Sequence, residues 1–156
     1  MNYSYKGFYQ GVSVNLDKLE VEVEVYLKLG GKRILNSKIA EIGYSIWIKP
    51  TSTVKEKLSK IMISLSRRFN SPVFEPHVTL AEGIRGRREE LFSKLQELAD
   101  SLTPFKVELI KIDDGRYFKN IVVLVKKSKE LMEAHLKARR IFKLEKKMYI
   151  PHLTLL

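Results

Sequence analysis

Phe74-Glu-Pro-His-Val-Thr-Leu80 and Tyr149-Ile-Pro-His-Leu-Thr-Leu155 are the two stretches that decide the fold. They match position for position in character. In a strand, residues i and i+2 point to the same face. His77 and Thr79 therefore point one way, and Val78 and Leu80 the other. His152 and Thr154 behave in the same manner, backed by Leu153 and Leu155. The apolar partners belong in a core, so each His-x-Thr pair must face solvent or a cleft. A proline precedes each histidine. It has no amide hydrogen to donate and restricts the residue before it, which favours a strand edge or a special backbone geometry.

The likeness extends backwards from both motifs. The apolar run Tyr44 to Ile48, ended by Pro50, corresponds to Asn120 to Val125. The amphipathic pattern of Val54, Leu58, Ile61, Met62, Leu65 and Phe69 predicts a helix over 53–69, with Thr53 and Glu56 as a capping box. It corresponds to a helix over 128–142 carrying Leu131, Met132, His135, Leu136, Ala138 and Phe142. In each copy an Arg-Arg pair precedes the terminal phenylalanine, and the order is strand, helix, strand bearing His-x-Thr. The two motif histidines lie 75 residues apart. Such a duplication predicts two similar lobes packed around a common cleft.

Between the copies, Leu91, Leu95, Leu98 and Leu102 predict a helix over 87–102, ended by Pro104. Strands over 105–112 and 117–125 flank an Asp113-Asp114-Gly115 turn. Ahead of Tyr44, residues 19–29 alternate apolar and polar strictly, which predicts a strand with one buried face. Gly30-Gly31 then reads as a hairpin turn into residues 32–42. The fold class is α+β in one domain of 156 residues.

Hydrophobic residues make up 44% and charged residues 30%, a globular composition rather than a disordered one. No apolar run approaches the roughly 18 residues needed to span a bilayer, and residues 1–10 contain no apolar signal-peptide core. A cytoplasmic protein with no membrane partner is the expectation. The absence of cysteine removes thiolate nucleophiles and Cys-ligated zinc. With 29 Lys+Arg against 18 Asp+Glu, the formal charge of +11 favours polyanionic partners such as nucleotides and RNA.

Two histidines facing each other across a cleft form a general acid-base pair. Imidazole titrates near pH ~6.5, so one ring can be neutral while the other is charged. Opening a cyclic phosphodiester by water needs this division of labour. One ring takes a proton from the attacking water, and the other gives a proton to the departing ribose oxygen. The Thr79 and Thr154 hydroxyls can donate to the non-bridging oxygens. With His135 set aside as structural, His77 and His152 leave two histidines for a zinc site that wants three or four ligands. His135 sits among apolar helix residues and reads as structural. No metal and no cofactor are expected.

The paired Pro-His-Val-Thr-Leu and Pro-His-Leu-Thr-Leu resemble the signature of the 2H phosphoesterase superfamily. Within it, the resemblance is strongest to the cyclic phosphodiesterase branch. Tyr44-Ser-Ile-Trp47 with Pro50 resembles that branch's opening strand, and Tyr117-Phe118 with Ile121 to Val125 the strand before its third helix. The resemblance covers about 44–156. It implies a bilobal α+β fold with two antiparallel sheets lining a central cleft and helices packed outside. It also implies hydrolysis of 2′,3′-cyclic nucleotides or ADP-ribose 1″,2″-cyclic phosphate. Trp47 matches a tryptophan that lies by the active site in this branch. An indole there stacks on a substrate base or belongs to the core, and both readings stand at this point.

In the family the chain continues past the second motif with a tyrosine, a helix and an antiparallel strand pair. Here residues 1–43 read like that missing end. Residues 12–19 resemble the penultimate strand and residues 36–42 the last one. A circular permutation is expected, bringing Met1 close to Leu156, with Tyr3 or Tyr5 in place of the post-motif tyrosine at the substrate. An RNA-directed 2H chemistry, either 2′-5′ ligation and cleavage or 3′-end processing, would use the same histidines. Arg67, Arg68, Arg85, Arg87 and Arg88 would then hold a longer backbone. A third reading is a non-catalytic RNA-binding protein, against which both complete motifs argue. The expected partner is a cyclic nucleotide or an RNA end, and the expected state is a monomer.

Overall fold

The computed structural model describes residues 25–30, 43–113 and 120–156. Expectations for Tyr3, Tyr5, the hairpin beyond Gly30, the permuted strands, the meeting of Met1 with Leu156, and Tyr117-Phe118 lie outside these residues. Six strands and three helices follow in the order β1 (Val25–Gly30), β2 (Gly43–Ile48), α1 (Ser52–Phe69), β3 (Val78–Ile84), α2 (Arg88–Ser101), β4 (Leu109–Asp113), β5 (Val122–Val125), α3 (Lys129–Ile141) and β6 (His152–Thr154).

The duplicated strand-helix-strand units appear as β2-α1-β3 and β5-α3-β6. The element boundaries carry physical corrections. The first motif enters its strand only at Val78, because Pro76 has no amide to give a ladder. Thr53 and Glu56 do not form the expected capping box. Thr51 occupies the N-cap of α1, without a side-chain cap bond. In the second unit a cap does form, where the Ser128 hydroxyl accepts from the Leu131 amide at 3.2 Å. Asn70 closes α1 in the left-handed region, φ 51°, a conformation asparagine tolerates better than most residues.

All described strands belong to one antiparallel sheet in the order β1-β2-β3-β6-β5-β4. This differs from the two sheets expected above. Two three-stranded halves exist, but a single ladder pair, Val78 with Leu153, joins them at the centre. A row of apolar residues crosses the sheet through that pair: Ile48, Val78, Leu153, Val123 and Ile112 are successive partners. Residues at one height on neighbouring strands share a face. The row therefore fixes which side of the whole sheet is core. Val78 and Leu153 are 3% and 1% exposed. Val54 and Leu58 of α1 pack on the same side, against Ile48, Val78 and Leu153. Leu131, Ala134 and Ala138 of α3 and Leu91 and Leu98 of α2 complete the core. The hydrophobic periods of the helices and the period of two in the strands are thus satisfied in one cluster.

Candidate active site

Residues 76–80 and 151–155 show the same burial sequence: each proline is buried, each histidine half-buried, the next residue buried, each threonine half-buried and the last residue buried. Both His-x-Thr pairs therefore lie on the sheet face opposite the core row. The structure brings the two pairs together. With Val78 opposite Leu153, the antiparallel register sets His77 beside Thr154 and Thr79 beside His152. Carried one step either way from that pair, the register puts the histidines on one diagonal and the threonines on the other. Diagonal neighbours in such a pair stand about 7–8 Å apart. A phosphate can hydrogen-bond both rings across that gap. The arrangement has an approximate two-fold axis through the Val78–Leu153 pair.

The two rings are held in the same way. His77 Nδ1 lies 2.7 Å from the Glu75 carbonyl oxygen, and His152 Nδ1 lies 2.8 Å from the Ile150 carbonyl oxygen. A carbonyl only accepts, so Nδ1 carries the hydrogen in both rings. When a ring is neutral, its Nε2 presents a lone pair. When the ring is charged, the same atom presents a proton. The carbonyl two residues upstream thus makes each histidine either a base or an acid at Nε2. Sequence reading found the histidines but not this lock.

His77 has further support. Trp47 stacks on it with ring centroids 3.6 Å apart and planes 11° from parallel, and Phe74 meets it edge-on at 6.5 Å. Trp47 sits directly across from Thr79 in the β2–β3 ladder and is 7% exposed. One of its faces is therefore taken by the histidine rather than open to a substrate base. The Glu75 side chain is clamped by Lys55 at 2.8 Å and Lys49 at 3.0 Å. Hydrogen bonds from Lys55 and then Lys49 hold its carboxyl below the usual carboxylate range. This clamp steadies the residue whose carbonyl orients His77. Sequence reading missed Glu75, because its partners lie 20 and 26 residues away.

His135 is buried, as its apolar neighbours on the helix imply, and it is 8% exposed. Its Nδ1 donates to the Leu80 carbonyl at 2.7 Å, and its ring stacks on Tyr149 at 3.8 Å. Burial pushes its pKa below the ordinary histidine value, against the opposing pull of the Leu80 hydrogen bond. The sign of the linkage follows. In the unfolded chain this group titrates near 6.5, so just below that pH the unfolded state binds more protons than the folded one. The contribution is complete above 6.5 and is lost as pH falls through the lower folded value. Lowering the pH from about 7.5 to about 5.5 should therefore reduce the wild-type Tm more than that of His135→Phe. Thermal melts across that range check this, and parallel slopes would contradict it.

Of the arginines expected to hold a longer backbone, Arg67 and Arg68 fall elsewhere, while Arg139 and Lys147 line a cavity with Thr79 and His152. Lys60, Ile63, Ser64, Arg67 and Arg68 line a groove on the exposed side of α1, and α1 packs behind the sheet. Arg67 and Arg68 thus lie on the far side of the sheet from the histidines. Arg87 pairs with Glu90 at the start of α2. Among the described residues no group of three or more His, Cys, Asp or Glu could hold a metal ion, and no helix is long and apolar enough to cross a membrane.

The family profile described as cyclic phosphodiesterase-like protein matches residues 42–156, nearly three quarters of the chain. The chain belongs to that family. The match begins at β2 and contains both His-x-Thr units, so the duplicated core and the family region coincide. Among curated proteins, the cyclic phosphodiesterase of Arabidopsis thaliana is 29% identical over 115 residues. Those residues are 72% of this chain and 64% of the Arabidopsis protein, so the chain spans less than two thirds of that relative's length.

Proposed function

We propose that this chain hydrolyses cyclic phosphodiesters, with 2′,3′-cyclic nucleotides and ADP-ribose 1″,2″-cyclic phosphate as the substrate class, and that His77 and His152 are its acid-base pair. The observation that carries the reading is the diagonal arrangement of two identically locked imidazoles, each beside the other motif's threonine. Family membership and the name of the Arabidopsis relative support the same chemistry.

The cyclic phosphate sits between the rings with its non-bridging oxygens at the Thr79 and Thr154 hydroxyls. The neutral ring takes a proton from water through Nε2 as the water oxygen bonds to phosphorus. The P–O bond to one ribose oxygen breaks, and the charged ring gives its Nε2 proton to that oxygen. One proton enters the pair and one leaves it, and exchange with solvent restores the starting forms. Charge that grows on the non-bridging oxygens meets two hydroxyl donors already in position. No step calls on a metal ion.

The experiment is a panel of 2′,3′-cyclic AMP, ADP-ribose 1″,2″-cyclic phosphate and short RNAs ending in a 2′,3′-cyclic phosphate, with products separated by chromatography. Turnover of the mononucleotides, unchanged by chelator, is the expected result. A requirement for oligonucleotides with steep salt dependence would favour the RNA-directed chemistry instead. That alternative has less support, because Arg67 and Arg68 lie on the opposite side of the sheet. Thr79→Val and Thr154→Val remove one hydroxyl each at nearly constant volume. Each should lower kcat by about 100-fold, the usual loss for one donor to a developing oxyanion. Initial rates at saturating 2′,3′-cyclic AMP check this, and unchanged kcat in both would remove the threonines from the mechanism.

A further inference from the structure

The seam between the half-sheets poses a mechanical problem. The β3–β6 ladder contains one pair, Val78 with Leu153, yet Thr79 must keep a fixed position beside His152. On the Thr79 side of that pair a cavity of 320 Å³ opens, lined by Thr79, Leu80 and Ala81 of β3 and by Tyr149, Ile150 and His152 at the entry to β6. Backbone pairing with β6 therefore does not hold this edge of β3.

Two side chains replace the missing ladder. The Tyr149 hydroxyl donates to the Thr79 carbonyl at 3.0 Å, across 70 residues of sequence. His135 Nδ1 donates to the Leu80 carbonyl at 2.7 Å, across 55 residues. The two rings stack at 3.8 Å with planes 3° apart, so each fixes the other. Tyr149 lies three residues before His152, in the second motif, and it grips the first motif's threonine. His135 ties the same point to α3. Both donors are sheltered: burial raises the Tyr149 pKa and keeps the hydroxyl protonated as a donor, and His135 Nε2 is buried with no hydrogen-bond partner.

We infer that Tyr149 and His135 are positioning residues that hold Thr79 in register with His152, so that the second motif sets the geometry of the first. The inference rests on the phosphodiesterase reading for its kinetic consequences, but the brace itself is a structural property. The asymmetry is specific. Tyr149 bonds to the backbone of Thr79, not to that of Thr154. Loss of its hydroxyl should be felt through one threonine alone.

Tyr149→Phe keeps the ring and its stack on His135 and removes only the oxygen. It should lower kcat for 2′,3′-cyclic AMP by about tenfold with little change in KM, because one hydrogen bond of ordinary strength orients a group that acts in the transition state. In a Thr79→Val background the same change should have almost no further effect, whereas in Thr154→Val it should keep its full tenfold. A general loss of structure would act equally in both backgrounds, and that outcome would overturn the inference. His135→Phe provides a second variant with the same expected pattern. Methyl relaxation by NMR gives a readout free of catalysis. Tyr149→Phe should increase the mobility of the Thr79 methyl and leave the Thr154 methyl unchanged. If wild type turns over no cyclic phosphate, the functional reading fails while the relaxation result still decides the brace. If turnover occurs and the Thr79 methyl does not respond, the brace fails and the function stands.

Discussion

His77→Ala and His152→Ala should each lower kcat/KM for 2′,3′-cyclic AMP by about 10²- to 10⁴-fold, the range for loss of a positioned acid or base. The size follows from the site's symmetry. Each ring offers only Nε2, because its Nδ1 hydrogen is committed to a backbone carbonyl. Neither can perform both proton transfers in one turnover. Removing the base leaves water unassisted, and removing the acid leaves an alkoxide to depart. The double variant should lose little more than the worse single one, since the two rings act as a unit. Wild type should show a bell-shaped dependence of kcat/KM on pH, one limb for each ring, and each single variant should lose one limb. Initial rates of the four proteins across pH check this. Full activity in the double variant would remove the histidines from the chemistry.

Leu153→Ala should destabilise the fold by about 2–5 kcal/mol, the range for truncating a buried leucine, and should also lower the activity of the protein that remains folded. Leu153 is the middle of the apolar row, paired with Val78 on one side and Val123 on the other. The Val78–Leu153 pair is the only ladder step between the two half-sheets among the described residues. A cavity there loosens the register that puts His77 beside Thr154 and Thr79 beside His152. Leu98→Ala is the control. Leu98 is fully buried in the same core but on α2, away from the seam. It should lose comparable stability while its folded fraction keeps normal kcat. Urea unfolding with assays well below the transition separates the two. Equal kcat losses would show that the seam has no special role in setting the site.

The paired motifs were legible because they rely on the shortest-range rule a sheet obeys. Alternation in 76–80 and 151–155 assigns each side chain a face without knowledge of any partner strand, and burial follows it at every position. The duplication then implied that two such faces meet. What could not be read is what depends on which residues touch. Nothing in the local sequence of Glu75 announces Lys49 and Lys55. Nothing around His135 announces the Leu80 carbonyl, although its burial on an apolar helix face was visible. The sequence leaves Trp47 between a base-stacking and a core reading, and does not foresee its stack on His77. Two sheets were expected where the described strands form one, since a single residue pair makes the difference. The motif quoted from Phe74 enters its strand only at Val78, because Pro76 cannot donate to a ladder.

The central claim concerns one phosphorus-sized space between two rings. A crystal structure of the protein with inorganic phosphate bound tests it most directly. The account predicts the anion between His77 and His152, with an oxygen within about 3.2 Å of each Nε2 and the two threonine hydroxyls on the remaining oxygens. Phosphate bound elsewhere with this space left open, or held by one histidine while the other ring points away, would contradict it.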